Sequence, residues 1–473
     1  MCKNCVNFIS QGKVGDTGFR NNSETLCFRP NFLLYALFIL TSLDYMTRSI
    51  MNSSSTKTSF TKVACPFCGI HCDDLEITAT GNALQVKNTT CFRAVEGFER
   101  HLPAEISPRI NGEPVALDKA ITKAANIIKK SGTPLFAGLG TDVSGHRNIL
   151  QTADKVGGIV DHVLSEGIMR NILALSDRGW ITTTLTEIRN RADLVVFVGT
   201  DATEHPRFHE RILWAKEAMF VAPADREIVY LGKKLDTKPG ISPKGKKPMS
   251  IPCDISELST IMNTLTALIE DKPLQAKKAG GAKVTDLKKL ADKIITAEYA
   301  VFIWSPPKLN FPNAELVVGA VSDLVRKLTE TKRAAGFALG GDDGAASAAA
   351  VCAWQTGYPL RTNFSQGYPD YNPSRYSTNE ILTSGQADAL VWVSTFTSNR
   401  LPPESNIPTI VIGEPGMKFK TMPDVFIPAG TPGIDHVGKI VRVDSVVSLP
   451  MKQLRNAGLP SVASIFDRIY QAL

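Results

Sequence analysis

Four cysteines carry the strongest chemical signal in the chain. Cys65-Pro-Phe-Cys68-Gly-Ile-His-Cys72 places thiols at intervals that let one turning loop aim three of them at a common point, and Cys91 follows downstream. Four thiolates are what a [4Fe–4S] cube takes, one per iron. Gly69 permits the tight backbone that such a wrap needs. A zinc ion is the rival, with His71 able to replace a thiolate, although zinc sites more often use paired knuckles. Four reduced cysteines without metal are the third reading, because spacing alone does not name an ion.

Other candidates lie where strands end. Gly138-Leu-Gly140-Thr-Asp142-Val-Ser144-Gly145 follows an apolar strand and precedes a helix, so its amides could hold a phosphate, or simply make a strand-to-helix turn. Gly199-Thr200-Asp201-Ala-Thr-Glu204-His205-Pro-Arg207 is a polar run just past another strand, where open α/β sheets bind ligands. From these two runs Gly138, Gly140, Thr200, Asp201 and His205 are the cofactor-binding candidates. Gly340-Gly-Asp-Asp-Gly344 before AASAAA suggests a turn that lets a small-residue helix pack closely. There is no G-x-S-x-G elbow, HExxH pair or Walker loop; Cys253 and Cys352 sit in apolar contexts and read as core thiols.

The surrounding pattern says what must position these groups. DLEITATGNALQVKN predicts a hairpin turning at Gly81-Asn82. From Leu117 onward, amphipathic helices alternate with apolar runs: PLFAGLG, ADLVVFVGT, MFVAPA, EIVYLG, YAVFIWSP, ADALVWVST and IPTIVIG. A further helix is expected around HERILWAKEAMF. Such alternation predicts an α/β fold of doubly wound, mostly parallel sheets behind a small Cys-rich β module. The expected division is an extension over 1–59, a Cys-rich module over 60–116, and α/β regions over 117–300 and 301–473. The basic run KKLDTKPGISPKGKKP reads as a solvated loop.

Composition narrows the function classes. The 473 residues carry a net charge of +7, too small and dispersed for a nucleic-acid footprint. Phe32–Leu40 is apolar, but nine residues span only about 14 Å as a helix and do not cross a bilayer. Residues 1–50 read as a disordered extension or an upstream start, with Cys2, Cys5 and Cys27 carrying no function. The expected setting is a cytoplasmic protein that touches neither membrane nor nucleic acid.

Taken together, CPFCGIHCDDLEI, TTCFRAVEGF, NRADLVVFVGTDATEHPRFHER, TGYPLRTNFSQGYPDYNPSRYS and VFIPAGTPGIDHVGKIVRVDSVVSLP resemble the molybdopterin oxidoreductase superfamily. The nearer resemblance is to the B subunit of formylmethanofuran dehydrogenase, from about Thr61 to near the C terminus. That resemblance implies one [4Fe–4S] cluster on Cys65, Cys68, Cys72 and Cys91, partner subunits, and a tungsten- or molybdenum-pterin held by a cysteine. The metal-binding Cys-His pair aligns with Gly167 and Ile168, which can neither ligate nor move a proton. Ser165 and Glu166 are adjacent but are harder donors than a thiolate. The pattern therefore resembles the bacterial formyltransferase/hydrolase variant of the complex, in tetrahydromethanopterin-linked one-carbon metabolism, where the B subunit is a scaffold. An active tungsten or molybdenum dehydrogenase subunit is one alternative, requiring a donor such as Glu166. An iron–sulfur electron-transfer or zinc-stabilised binding protein is the other.

Overall fold

The computed structural model describes residues 57–473, so the expected N-terminal extension lies outside the described residues except for its last three. Those three open the strand Lys57–Val63, which pairs antiparallel with Leu75–Thr80; that strand pairs in turn with Ala83–Val86. Gly81 sits at φ 59°, the conformation the expected hairpin turn requires.

Two larger sheets form the body. The five-stranded sheet is all parallel, in the order Met249–Ile251, Glu227–Leu231, Leu194–Val198, Tyr299–Trp304, Arg333–Ala338. The nine-stranded sheet has five central parallel strands: Ile159–Val160, Pro134–Gly140, Ala389–Ser394, Thr409–Gly413 and Val425–Pro428. Short antiparallel pairs extend it on both edges, Thr362–Asn363 with Asp370–Tyr371, and Arg109–Ile110 with Glu113–Pro114.

Apolar runs form the central strands because both faces are covered. In Leu194–Val198, Val195 and Phe197 enter one core while Leu194, Val196 and Val198 enter another, beneath the helices Leu258–Ile269, Val284–Thr296 and Glu315–Thr329. Val391 and Val393 likewise face the helices Leu117–Lys130, Val143–Val156 and Val462–Ala472, with Leu390 and Trp392 on the opposite face. Each such side chain stabilises by about 1.5–3 kcal/mol before ordering costs.

The structure corrects three expectations. A boundary at 300/301 would cut the strand Tyr299–Trp304, which lies between Leu194–Val198 and Arg333–Ala338. The chain leaves the nine-stranded sheet after Val160, builds the other sheet, and returns at Thr362, so neither α/β region is a contiguous half. The helix around HERILWAKEAMF shrinks to one π turn, His209–Leu213. It stops because the buried Arg226 guanidinium takes the carbonyls of Ile212 and Leu213, along with those of Ile188, Arg189 and Ala192. MFVAPA forms no strand, with Met219 75% and Phe220 56% exposed.

Candidate functional site

The cysteine loop is closed by its own backbone. Cys65 N–H donates to the Cys72 carbonyl at 2.8 Å, and His71 N–H to the Cys68 carbonyl at 3.0 Å. His71 adopts φ 46°, and its Nδ1–H donates to the Cys65 carbonyl at 3.0 Å. Its Nε2 is buried without a partner. Cys65, Cys68 and Cys72 are buried; Cys91, half-buried, precedes the helix Phe92–Phe98. Phe67 anchors the loop, meeting Phe98 edge-on at 5.2 Å over Gly97, where a Cβ would lie 2.2 Å from the Phe67 ring.

Contacts from distant parts of the chain hold this loop. Gly69 N–H donates to Asp342 at 3.2 Å, and Val443 N–H donates to the Gly69 carbonyl at 3.0 Å. A Cβ on Gly69 would lie 1.7 Å from the Gly340 carbonyl oxygen and one on Gly341 3.1 Å from Gly69 Cα, so the two backbones touch because residues 69 and 341 are glycine. Gly340–Gly344 is thus more than a helix-packing turn: it backs the cysteine loop. Asp342 also meets Arg93 at 3.3 Å and His205 at 3.5 Å. On the other flank Arg207 grips Asp74 at 2.8 and 2.9 Å, and Arg211 reaches Asp73 and Asp74.

Burial pushes the Cys65 and Cys68 thiols far up, and Cys72 up to about 11 despite nearby Arg211 and Arg207. Cys65 is raised further by Cys72 and Cys91, and Cys68 by Cys65 and Cys72. Removing their protons therefore calls for a compensating cation, which is what a thiophilic metal provides. Among the described residues no three His, Cys, Asp or Glu side chains are close enough to hold a single metal ion. Four thiols are the donor number that a four-iron cube takes, one per iron, and also the number that a four-thiolate zinc site takes. Burial depresses His71 to about 4, leaving it neutral.

Gly167 and Ile168 line a cavity of about 460 Å³ that shares the Gly340-Gly341 wall with the cysteine loop. Trp180, Trp354 and Pro306 enclose it, and no Cys or His is in its lining. Its one carboxylate, Asp444, is bound by Arg442 at 2.6 Å and by Leu185 N–H at 3.1 Å. At Gly167 a Cβ would meet Pro306 and Pro307 at 3.3 Å. Glu166 is outside the lining, pairing with Arg361 at 2.6 Å, and Ser165 Oγ accepts from the same guanidinium at 3.1 Å. These residues do not fit a thiolate-held tungsten or molybdenum.

The remaining candidates have structural partners. Gly138 and Gly140 let Pro134–Gly140 approach its neighbour; Cβ atoms there would meet the Val393 carbonyl at 2.6 Å and Ser394 Cα at 3.2 Å. Asp142 caps the following helix, accepting from Gly145 N–H at 3.1 Å, so a buried carboxylate stands where a phosphate would bind. Thr200 accepts from Ala202 N–H, while Asp201 accepts from Thr203 and from Asp236 N–H. Burial raises the Asp201 carboxyl, but those donors bring it below its usual range. Of these five residues only His205 joins the cysteine site. Sequence reading missed Asp342, Arg93 and Arg211; the sole hint, for Asp342 alone, was the Gly340-Gly341 pair and Gly344 flanking the acidic residues.

The arrangement defines an α/β protein whose two mostly parallel sheets stand beside a small antiparallel sheet that carries a three-cysteine loop, with a fourth cysteine before the helix Phe92–Phe98. The same fold occurs in the crystal structure of the formyltransferase/hydrolase complex from Methylorubrum extorquens with methylofuran: TM-score 0.65, 24% identity, covering 77% of this chain and 98% of that one. The chain is also similar to the B subunits of two proteins named tungsten-containing formylmethanofuran dehydrogenase 2. Identity is 23% with the Methanocaldococcus jannaschii protein, over 81% of this chain and 91% of the relative. With that of Methanococcus maripaludis it is 24%, over 82% and 92%. The B subunit of the Methylorubrum extorquens formyltransferase/hydrolase complex Fhc is 26% identical, over 68% of this chain and 85% of its own length. No family model matches the chain. Among the described residues no helix is long and apolar enough to cross a membrane.

Proposed function

We propose that this chain is the B subunit of a formyltransferase/hydrolase complex of the formylmethanofuran dehydrogenase type, acting as a scaffold for formyl transfer and hydrolysis carried out on partner subunits. The observation that carries the proposal is similarity along most of the length of B-subunit relatives, 91% and 92% of the two dehydrogenase subunits and 85% of the formyltransferase/hydrolase subunit, joined to a cavity at Gly167 and Ile168 whose lining holds no Cys or His. The body is then of molybdopterin-oxidoreductase type, stripped of its heavy-metal donor at Gly167 and Ile168.

Cys65, Cys68, Cys72 and Cys91 would hold a [4Fe–4S] cluster, which supplies one-electron transfer when bound and ties the loop to its flanks. Around it Phe67 excludes water, while Asp342 and the Arg207–Asp74 pair orient the loop. Metal and pterin analysis of the anaerobically co-purified assembly is the test. About four irons per chain, lost in Cys65→Ala, without stoichiometric tungsten or molybdenum, is the expected result. Stoichiometric tungsten or molybdenum with pterin would return catalysis to this chain.

A further inference from the structure

At the opposite end of the five-stranded sheet from the cysteine site, where Glu227–Leu231 and Met249–Ile251 begin, a groove of about 470 Å³ opens. Lys246 and Lys247 enter from the loop before Met249, and Lys289 and Lys293 from one face of the helix Val284–Thr296. Glu227 is spent on bridging Lys246 and Lys293, which fixes the loop against the helix. Asp286 is 3.6 Å from Lys289, which is 70% exposed, and Lys247 has no ion pair among the described residues. Arg226, at the base, is committed to backbone carbonyls. Positive charge from separate elements therefore converges on one concavity, with only two carboxylates to offset it.

Met249–Ile251 is also an edge strand: it pairs with Glu227–Leu231, and its other side has no strand partner among the described residues. Pro248, directly before the strand, has no N–H to offer, so Met249–Ile251 are the residues left to pair. Here the strand reads Met-Ser-Ile and the lysines surround it. An extended chain laid along that edge satisfies its backbone groups and brings alternate side chains over the groove. A compact anion would use one lysine pair and leave the edge open.

We propose that this groove docks an extended acidic segment, rich in Asp and Glu, of another protein chain. Backbone pairing with Met249–Ile251 supplies the register, and Lys247 and Lys289 meet the carboxylates. The site is independent of the cysteine loop and of what it holds. The test is fluorescence anisotropy of a short peptide of alternating Glu and Ser against the full chain, at rising salt and with tripolyphosphate as competitor. Lys247→Glu with Lys289→Glu should weaken binding at least about tenfold. Lys119→Glu with Lys123→Glu, the same charge change on the helix Leu117–Lys130, should leave it unaltered. Affinity should also fall as salt rises. Equal binding by the groove variant, equal weakening by the control variant, or tight tripolyphosphate binding without peptide binding would each overturn the proposal.

Discussion

Gly69→Ala is the sharpest probe of how the cysteine loop is held. Its new Cβ would stand 1.7 Å from the Gly340 oxygen, 2.8 Å from the Gly340 carbonyl carbon and 3.0 Å from Gly341 Cα. Every atom met is backbone, so no side chain can swing aside, and the segments must part by about an ångström or more. Overpacking of this kind costs about 1–3 kcal/mol. Separation also breaks the bonds from Gly69 to Asp342 and from Val443 to Gly69, at about 1 kcal/mol each. The expected loss is about 3–5 kcal/mol, a large part of the ~5–15 kcal/mol that holds a native protein together. Gly81→Ala is the comparison: its φ is 59° but nothing lies within 4 Å, so only backbone strain of roughly 1–2 kcal/mol applies. Urea unfolding followed by tryptophan fluorescence, together with iron content after anaerobic reconstitution, reads both variants. Gly69→Ala should shift the midpoint further and lose iron, while Gly81→Ala keeps it. Equal midpoint shifts, or full iron in Gly69→Ala, would refute the idea that backbone contact positions the loop.

Other outcomes follow from the same contacts. Arg361→Met leaves Asp161, only 1% exposed, with the Thr378 N–H and hydroxyl but no cation, and should cost about 1–3 kcal/mol in urea unfolding. Glu166→Gln, at a side chain 66% exposed, should cost under about 1 kcal/mol and leave tungsten and molybdenum content unchanged. Asp142→Ala removes a buried helix cap and should destabilise by about 1–2 kcal/mol, while added phosphate gives the parent protein no thermal protection. Burial lowers His71, His146, His162 and His209 to about 4. Their depressed folded values mean that neutral histidine contributes full stability above the ordinary value of 6.5, and that this contribution is lost as pH falls toward 4. The slope of unfolding free energy against pH near 5.5 should correspond to about four protons taken up on unfolding. A flat profile there would show that these imidazoles are not buried neutral groups.

The legible parts of the sequence were those set by local rules. Gly81-Asn82 between alternating apolar residues is a turn wherever it occurs, and LVVFV is a strand covered on both sides because no residue in it tolerates water. What failed were elements decided by a remote partner. HERILWAKEAMF has helical periodicity, yet Arg226 from a neighbouring strand end takes the carbonyls a longer helix would use. Gly138 and Gly140 look like a phosphate cradle; their missing side chains instead admit Val393 and Ser394.

By itself, the sequence determined the donor chemistry and the layer architecture: four thiols at loop spacing, apolar runs alternating with amphipathic helices, and no thiol at 167 or 168. Tertiary structure alone decided that Gly340-Gly341 backs the cysteine loop, that one strand set interrupts the other, that Arg361 occupies Ser165 and Glu166, and that lysines from a loop and a helix share a groove. The reason is physical: thiol chemistry and side-chain periodicity are properties of neighbours along the chain. Close backbone approach and convergence of charge are properties of segments tens to hundreds of residues apart, which only packing brings together.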